Sequence, residues 1–295
     1  MPSLLVKVRK KMTIYAHRRV RGVLEGEYGS VFKGRSMDFD DLRAYLPGDD
    51  IKDVDWKATA RSGQVLIRRY VAIRKHNILL VVSTGRGMAA TAPSGESKRD
   101  IAILAAGVVG YIAQKHGDLV ALVSGDSQSV QYLPLKGDSP HLERVLKHIQ
   151  DHTTLTAAES SLGRLLDYIT RSIRRRTMLV IIADNTAFDA ADERLLRRLQ
   201  AQHEVMFIGI DDLSPSAATT LDQPIFDVDA PQFLPSFIRS HASLAAAYET
   251  ALKDRWAAGS RLLDRRQITN VRISSESEVI NKIILLLERQ KRVRR

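Results

Sequence analysis

Between Met37 and Tyr70, carboxylates and guanidiniums stand at spacings that could do chemistry. Asp38, Asp40 and Asp41 lead, Asp49 lies beside Asp50, and Asp53, Asp55 and Arg61 follow, with Tyr45 and Trp56 among them. Paired acids are raw material for general acid–base work or for holding a hard cation. A guanidinium beside a carboxylate pairs in a fork that fixes orientation as well as charge. Two neighbouring acids at a turn do not make a catalytic dyad by themselves. The chain has no Cys, and no His lies between His17 and His76 to share a metal. Two readings therefore stand. Arg43, Tyr45, Asp49, Asp50, Asp55, Trp56 and Arg61 form a site or partner surface, or they form a hydrogen-bonded network holding a loop-rich segment. The scaffold is preferred, because structural ion-pair networks imitate sites.

Other candidate chemistry is thin. Of the eight histidines, His17, His76, His116 and His241 lie beside basic residues or at element ends. His141/His148 and His148/His152 have helical spacing without a Glu-x-x-His context, and read as exposed helix decoration. No Gly-x-Ser-x-Gly motif is present. Gly29 to Ser36 nearly spells a phosphate-binding loop, but Arg35 replaces its lysine. No buried strand precedes that loop and no long helix follows, so it is rejected. A hydrolase built on Asp49, Asp50 and Asp55 lacks both nucleophile and metal. The expectation is a protein that is not an enzyme and carries no cofactor.

The residues Phe39, Leu42, Arg43, Tyr45, Pro47, Gly48, Asp49, Asp50, Asp55, Trp56, Ala58, Ala60, Arg61 and Gly63 spell F-x-x-L-R-x-Y-x-P-G-D-D-x-x-x-x-D-W-x-A-x-A-R-x-G. This resembles the signature of the bacterial family called domain of unknown function fifty-eight. The resemblance implies a module joined to a von Willebrand factor A-like domain. It also implies a MoxR-type AAA+ ATPase as partner, with the chain acting as an adaptor for client proteins. Many relatives carry membrane helices before the signature.

The resemblance also implies where a metal would sit. Metal-binding A domains use D-x-S-x-S after the first strand, a Thr before a later helix and an Asp after a later strand. Those oxygens suit a hard octahedral cation. Here Ser83 stands for the Asp, and Gly85 and Gly87 stand for the two serines. Ser160 falls at the threonine position, with Thr156 as the alternative register, and Asp184 matches the last Asp. One carboxylate and one hydroxyl are not a metal cage, so no tightly held divalent ion is expected. Ser83 to Gly87 could offer backbone N–H groups and Arg86 to an anion. A plain surface loop is preferred, because the next helix begins only near Ser97.

The elements that must position these residues follow from patterning. A basic amphipathic helix is expected over residues 3–20, capped by Ser3, with Leu4, Leu5, Val8, Met12 and Tyr15 on one stripe. Gly22 to Gly34 reads as extended. Phe39, Leu42, Tyr45 and Leu46 could cover one helical turn, which Pro47-Gly48 stops. Val65 to Ile73 reads as a strand. Buried apolar runs at Asn77–Val82, Leu119–Ser124, Met178–Ile182 and Val205–Ile210 then alternate with helices at Ser97–Lys115, His141–Gln150, Leu162–Arg175 and Asp189–Gln202. That alternation predicts a mostly parallel α/β sheet covered on both faces. Val130 to Pro134, reached by a tight turn, predicts an antiparallel edge strand. The Ala/Gly-rich face of the 97–115 helix suits close packing on the sheet. A long helix over Leu234–Asp264, with Tyr248 and Trp256 as core, an extended piece at Ile268–Ile273 and a last helix from Glu276 complete the chain. The expected division is a module over 1–75 and an A-like domain over 76–295.

Composition bounds the function classes. Of 295 residues, 44% are hydrophobic, enough for a real core. The longest apolar run, Ile101 to Ala113, falls short of the ~20 residues a bilayer needs. Met1 to Met12 lacks the apolar region of a signal peptide. With no Cys to form disulfides, a cytoplasmic location is expected. The net charge of +11 gathers at Lys7–Arg21, Arg171–Arg176 and Arg289–Arg295. It supports an alternative function, binding nucleic acid or an anionic membrane, although aromatics do not interleave with the basic runs.

Overall fold

The structure is a computed structural model that describes residues 3–18, 38–71, 76–184, 188–213, 226–228, 232–233 and 242–293. The chain divides into a small unit, Phe32–His76, and a larger one made of Met1–Val31 and Asn77–Arg295. The N-terminal helix falls in the larger unit, not with the residues that carry the signature. That helix, α1 (Leu4–Arg18), buries Leu5, Val8 and Met12. Its first turn is held from elsewhere in the larger unit: Glu143 accepts from Ser3 Oγ at 2.7 Å and from the N–H groups of Leu4 and Leu5 at 2.9 and 2.8 Å. Lys7 and Lys11 both pair with Glu276. The 22–34 stretch and the near phosphate loop lie outside the described residues.

In the small unit, β1 (Asp38–Ala44) pairs antiparallel with β2 (Leu66–Val71), Ala44 opposite Leu66. The helical turn expected around Phe39 to Leu46 is instead mostly strand. Pairing with β2 overrides the poor strand propensity of three aspartates, and a register irregularity between Phe39 and Asp41 absorbs the misfit. Between the strands lie a 3-10 turn, Ile51–Asp53, and α2 (Trp56–Ser62). Gly63 ends α2 at φ 72°, the left-handed conformation that glycine adopts without steric cost.

The larger unit is built on a six-stranded sheet of order β10-β7-β6-β3-β4-β5. Its strands are β3 (Asn77–Ser83), β4 (Leu119–Gly125), β5 (Val130–Lys136), β6 (Met178–Asp184), β7 (Glu204–Ile210) and β10 (Thr269–Ile273). The labels β8 (Phe226–Asp227) and β9 (Gln232–Phe233) denote a separate two-residue pairing. All sheet neighbours run parallel except β5, which is antiparallel to β4. Every residue of β3 and β6 is buried, as strands covered on both faces require. The extended piece after Ile268 proves to be the edge strand beside β7.

The helices are α3 (Lys98–Lys115), α4 (Ser139–His152), α5 (Leu162–Ser172), α6 (Ala190–Gln202), α7 (Ala242–Arg265) and α8 (Val279–Val293). On one face Leu79, Val81, Leu179 and Ile181 pack with Leu162, Leu165, Leu196, Leu199 and Leu263 of α5, α6 and α7. Trp256 of α7 packs against this cluster, its ring where a Cβ on Gly209 would lie 2.9 Å away. Tyr248's side chain lies outside the described residues. On the other face α3 lies across β3, β4, β6 and β7 and is itself covered by α1, α4 and α8. Its glycines face those helices, not the sheet as expected. A Cβ on Gly107 would lie 2.5 Å from Val8, and one on Gly110 the same distance from Leu142.

Candidate functional site

The signature residues of the small unit divide into two groups. Its acids serve the backbone. Asp49 accepts from Arg43 Nη2 at 2.6 Å and from Leu46 N at 2.9 Å. Those two bonds, the guanidinium's first, hold its carboxyl below the usual range. Asp50 caps the 3-10 turn through Lys52 N, and Asp55 caps α2 by accepting from Lys57 N and Ala58 N at 3.0 and 3.1 Å. Arg61 is exposed in the last turn of α2. Val54 and Ile67 are buried and Leu42 half-buried, but Tyr45, Leu46 and Ile51 are exposed, and Trp56 is 65% exposed. Asp49, Asp50 and Asp55 are thus bonded to backbone N–H groups, while Tyr45 and Trp56 are exposed.

At the carboxyl edge of the large sheet the geometry is different. β3 ends at Ser83 and β6 at Asp184, while Asp211 and Asp212 follow β7. The segment Ser83–Met88 is not the surface loop expected. Ser83, Thr84, Gly85, Gly87 and Met88 are buried, and Arg86–Ala89 form a 3-10 turn. Chain 158–160 lies directly on it. Arg86 N donates to Ala158 O at 2.9 Å, and the Arg86 guanidinium pairs with Glu159 at 2.6 Å. A Cβ at Gly85 would lie 2.4 Å from Ser160 N. Ser160 is therefore the residue against this turn, whereas Thr156 is exposed and bonded to Thr154 at 3.0 Å. The hydroxyls of Ser83 and Ser160 are buried without a hydrogen-bond partner among the described residues.

A residue that sequence reasoning missed dominates this edge. Lys98, the first residue of α3, is 1% exposed. Its ammonium lies 3.8 Å from Asp184 Oδ2 and bonds Asp212 Oδ1. Asp184 is buried and Asp212 about half exposed. Beside them Asp211 accepts from Arg272 Nε at 2.5 Å and Ser274 Oγ at 2.7 Å. The guanidinium of Arg272 sits 5.1 Å from the Trp256 ring centroid. A signal for Lys98 was present: Lys98-Arg99 opens a helix, where the macrodipole disfavours cations. Its partners lie 86 and 114 residues away in sequence, as 184 − 98 and 212 − 98 give, so no local pattern could name them.

These residues do not fit a divalent ion. Both nearby carboxylates turn to an ammonium, glycine supplies no side-chain oxygen, and the space for a side chain at Gly85 is filled by backbone. A doubly charged ion 4 Å from that ammonium would meet about 8 kcal/mol of repulsion at an effective dielectric of about 20. Among the described residues no group of three or more His, Asp or Glu side chains could hold a metal.

The reading of the histidines needs correction at His141 and at the half-buried His148. His141 is not exposed decoration: it is 3% exposed, with Nε2 3.1 Å from the Val120 carbonyl, to which it must donate. Burial pushes its pKa down despite that bond. His148 and His152 stack with ring centroids 3.9 Å apart, and burial also lowers His148. His17's side chain and His241 lie outside the described residues.

Five parallel strands, one antiparallel edge strand and helices on both faces make the larger unit a von Willebrand factor A-like α/β domain. Residues 41–217 match the family described as protein of unknown function DUF58, and the chain belongs to that family. It is 28% identical over 215 residues to uncharacterised proteins of Mycobacterium tuberculosis and Mycobacterium bovis, covering 72% of this chain. That match spans 66% of those relatives' own length. Among solved structures it is similar to a von Willebrand factor type A protein from Catenulispora acidiphila. There the TM-score is 0.44 at 12% identity, covering 77% of this chain and 45% of that one. It is also similar to an aerotolerance-related membrane protein from Bacteroides fragilis, with TM-score 0.46 and 12% identity, covering 72% and 98%. No described helix of the present chain is long and apolar enough to cross a membrane.

Proposed function

We propose that the chain is a non-enzymatic protein-binding adaptor that works with a MoxR-type AAA+ ATPase on client proteins. The observation that carries this reading is the exposure of Tyr45, Leu46, Ile51 and Trp56 on a module whose acids are committed to its own backbone. Exposed aromatic and aliphatic side chains on a fixed frame are the usual anchors of protein recognition. No acid of the signature is left in a pair suited to acid–base work, which favours binding over catalysis. The nucleic-acid alternative loses support from the basic clusters themselves. Lys7 and Lys11 pair with Glu276, Arg171 with Asp167 and Arg176 with Glu204. The partner is inferred from the family resemblance, and a cytoplasmic setting goes with it.

The test is capture from the native host with a non-hydrolysable ATP analogue and with ADP, read by mass spectrometry, for wild type and Trp56→Ser. An AAA+ ATPase enriched in one nucleotide state, and lost with Trp56→Ser at unchanged thermal stability, is the expected result. Recovery of nucleic acid or lipid that disappears at higher salt, with no ATPase, would replace this reading by the alternative.

A further inference from the structure

The carboxyl edge of the sheet carries a cation that the chain supplies itself. We propose that the Lys98 ammonium is the resident cation of this edge, taking the charge position a divalent ion would need and so excluding free Mg²⁺ or Mn²⁺. The proposal stands independently of the adaptor reading.

Three observations converge on it. The ammonium is enclosed, with Lys98 1% exposed, and it lies between carboxylates from the ends of two adjacent strands, Asp184 as the last residue of β6 and Asp212 beyond β7. Its position runs against helix preference, because the N-terminus of α3 is the positive end of an 18-residue dipole. A cation is stable there only if anions face it, and these two carboxylates do. The third observation is steric. The Cα of Gly85 packs against the backbone of Ser160, so the hollow that a serine ligand at this position would require is closed.

A tethered ammonium differs from a metal ion in one consequence. It cannot dissociate, so the arrangement of the strand ends does not depend on metal concentration. If the edge also captures a partner, that capture needs no added cation and survives chelation; this corollary alone rests on the proposed function.

The experiment uses the full chain as wild type, Lys98→Met, Asp184→Asn and the double variant. Thermal unfolding is followed with EDTA and with millimolar Mn²⁺, beside calorimetric titration with Mn²⁺. Wild type is expected to show no binding heat and no metal-dependent change in Tm. Lys98→Met should lower Tm by about 10 °C, because it removes the ammonium that faces two carboxylates, one of them buried. The double variant should recover most of that loss, a strongly non-additive pair. Mn²⁺ binding to wild type that Asp184→Asn abolishes would overturn the proposal. So would losses from the two single variants that simply sum. Should Lys98→Met fail to fold, the double variant decides: folded supports the tethered cation, unfolded refutes it.

Discussion

The small unit and the sheet edge of the large one hold their charges in opposite ways. Around Asp49, Asp50 and Asp55 the carboxylates face backbone N–H groups within three residues, with Arg43 also on Asp49, and Tyr45, Leu46, Ile51 and Trp56 turn out to solvent. At Lys98, Asp184 and Asp212 the charges face each other across the fold, and the residues around them are buried. Local acids are interchangeable caps, each contributing modestly. A buried ammonium and its carboxylates form a single electrostatic unit whose members fail together. A dense charged motif in sequence therefore marks a rigid frame here, and the chemically unusual group sits in an apolar helix with no motif around it.

Several measurements would break or sharpen that contrast. Lys98→Met should have the largest effect, about 3–5 kcal/mol of stability, because breaking a buried pair strands its partner; denaturant unfolding of the large unit reads it. Gly85→Ser restores the residue type that the metal motif uses, yet its Cβ would meet backbone at 2.4 Å. A loss of about 1–3 kcal/mol from overpacking is expected, without any gain of Mn²⁺ binding in the same calorimeter. A stable Gly85→Ser that binds Mn²⁺ would mean that the edge is an open metal site.

Asp55→Ala should cost about 1 kcal/mol, the loss of one helix cap. The effect should be confined to the small unit and be visible as faster amide exchange in Trp56–Ser62. If instead the large sheet melts earlier, Asp55 is not acting as a local cap.

The smallest effect concerns pH. Burial holds His141, His148 and His203 below the ordinary value of 6.5, so the unfolded chain protonates them first. Their contribution is complete above about pH 6.5 and drains as pH falls below it. Thermal midpoints should therefore decline from pH 7 to 5.5, and His141→Gln, which keeps a donor for Val120 O, should flatten that slope. The carboxylates held low, Glu143 and Glu276 among them, act further down. Burial alone would raise both, but the donors from Leu5, Ser3 and Leu4 on Glu143 and from Lys11 and Lys7 on Glu276 outweigh it. Their contribution is present above about pH 4.5 and is lost only below it.

Legibility followed the range of the interactions. The buried strands from Asn77 onward announce themselves because a strand covered on both faces must be apolar throughout. The stripe of α1 was readable too, but not its host: Glu143 and Glu276 lie far along the chain. β1 was hidden because aspartates discourage strands until a partner such as β2 is in place. The signature predicted a polar network around Trp56; Arg43 and Asp49 are paired, but Trp56 is exposed, which no pattern in the sequence announces. Ser83, Gly85, Gly87, Ser160 and Asp184 were found by analogy with a metal motif. Ser160 lies against Gly85 and Asp184 ends β6, but the analogy passed over Lys98 because no metal motif contains a lysine.

The edge strand β5 has one last implication. Among the described residues it pairs only with β4, and its ladder slips between Val120 and Leu122. Within β5, Pro134 lacks the N–H that a neighbouring chain would need, and the exposed Lys136 adds a charge. An edge so interrupted is a poor template for a foreign strand. This edge is thereby guarded against growing the sheet into a neighbour, and a partner that meets β5 must be recognised through side chains instead of by extension of the backbone ladder.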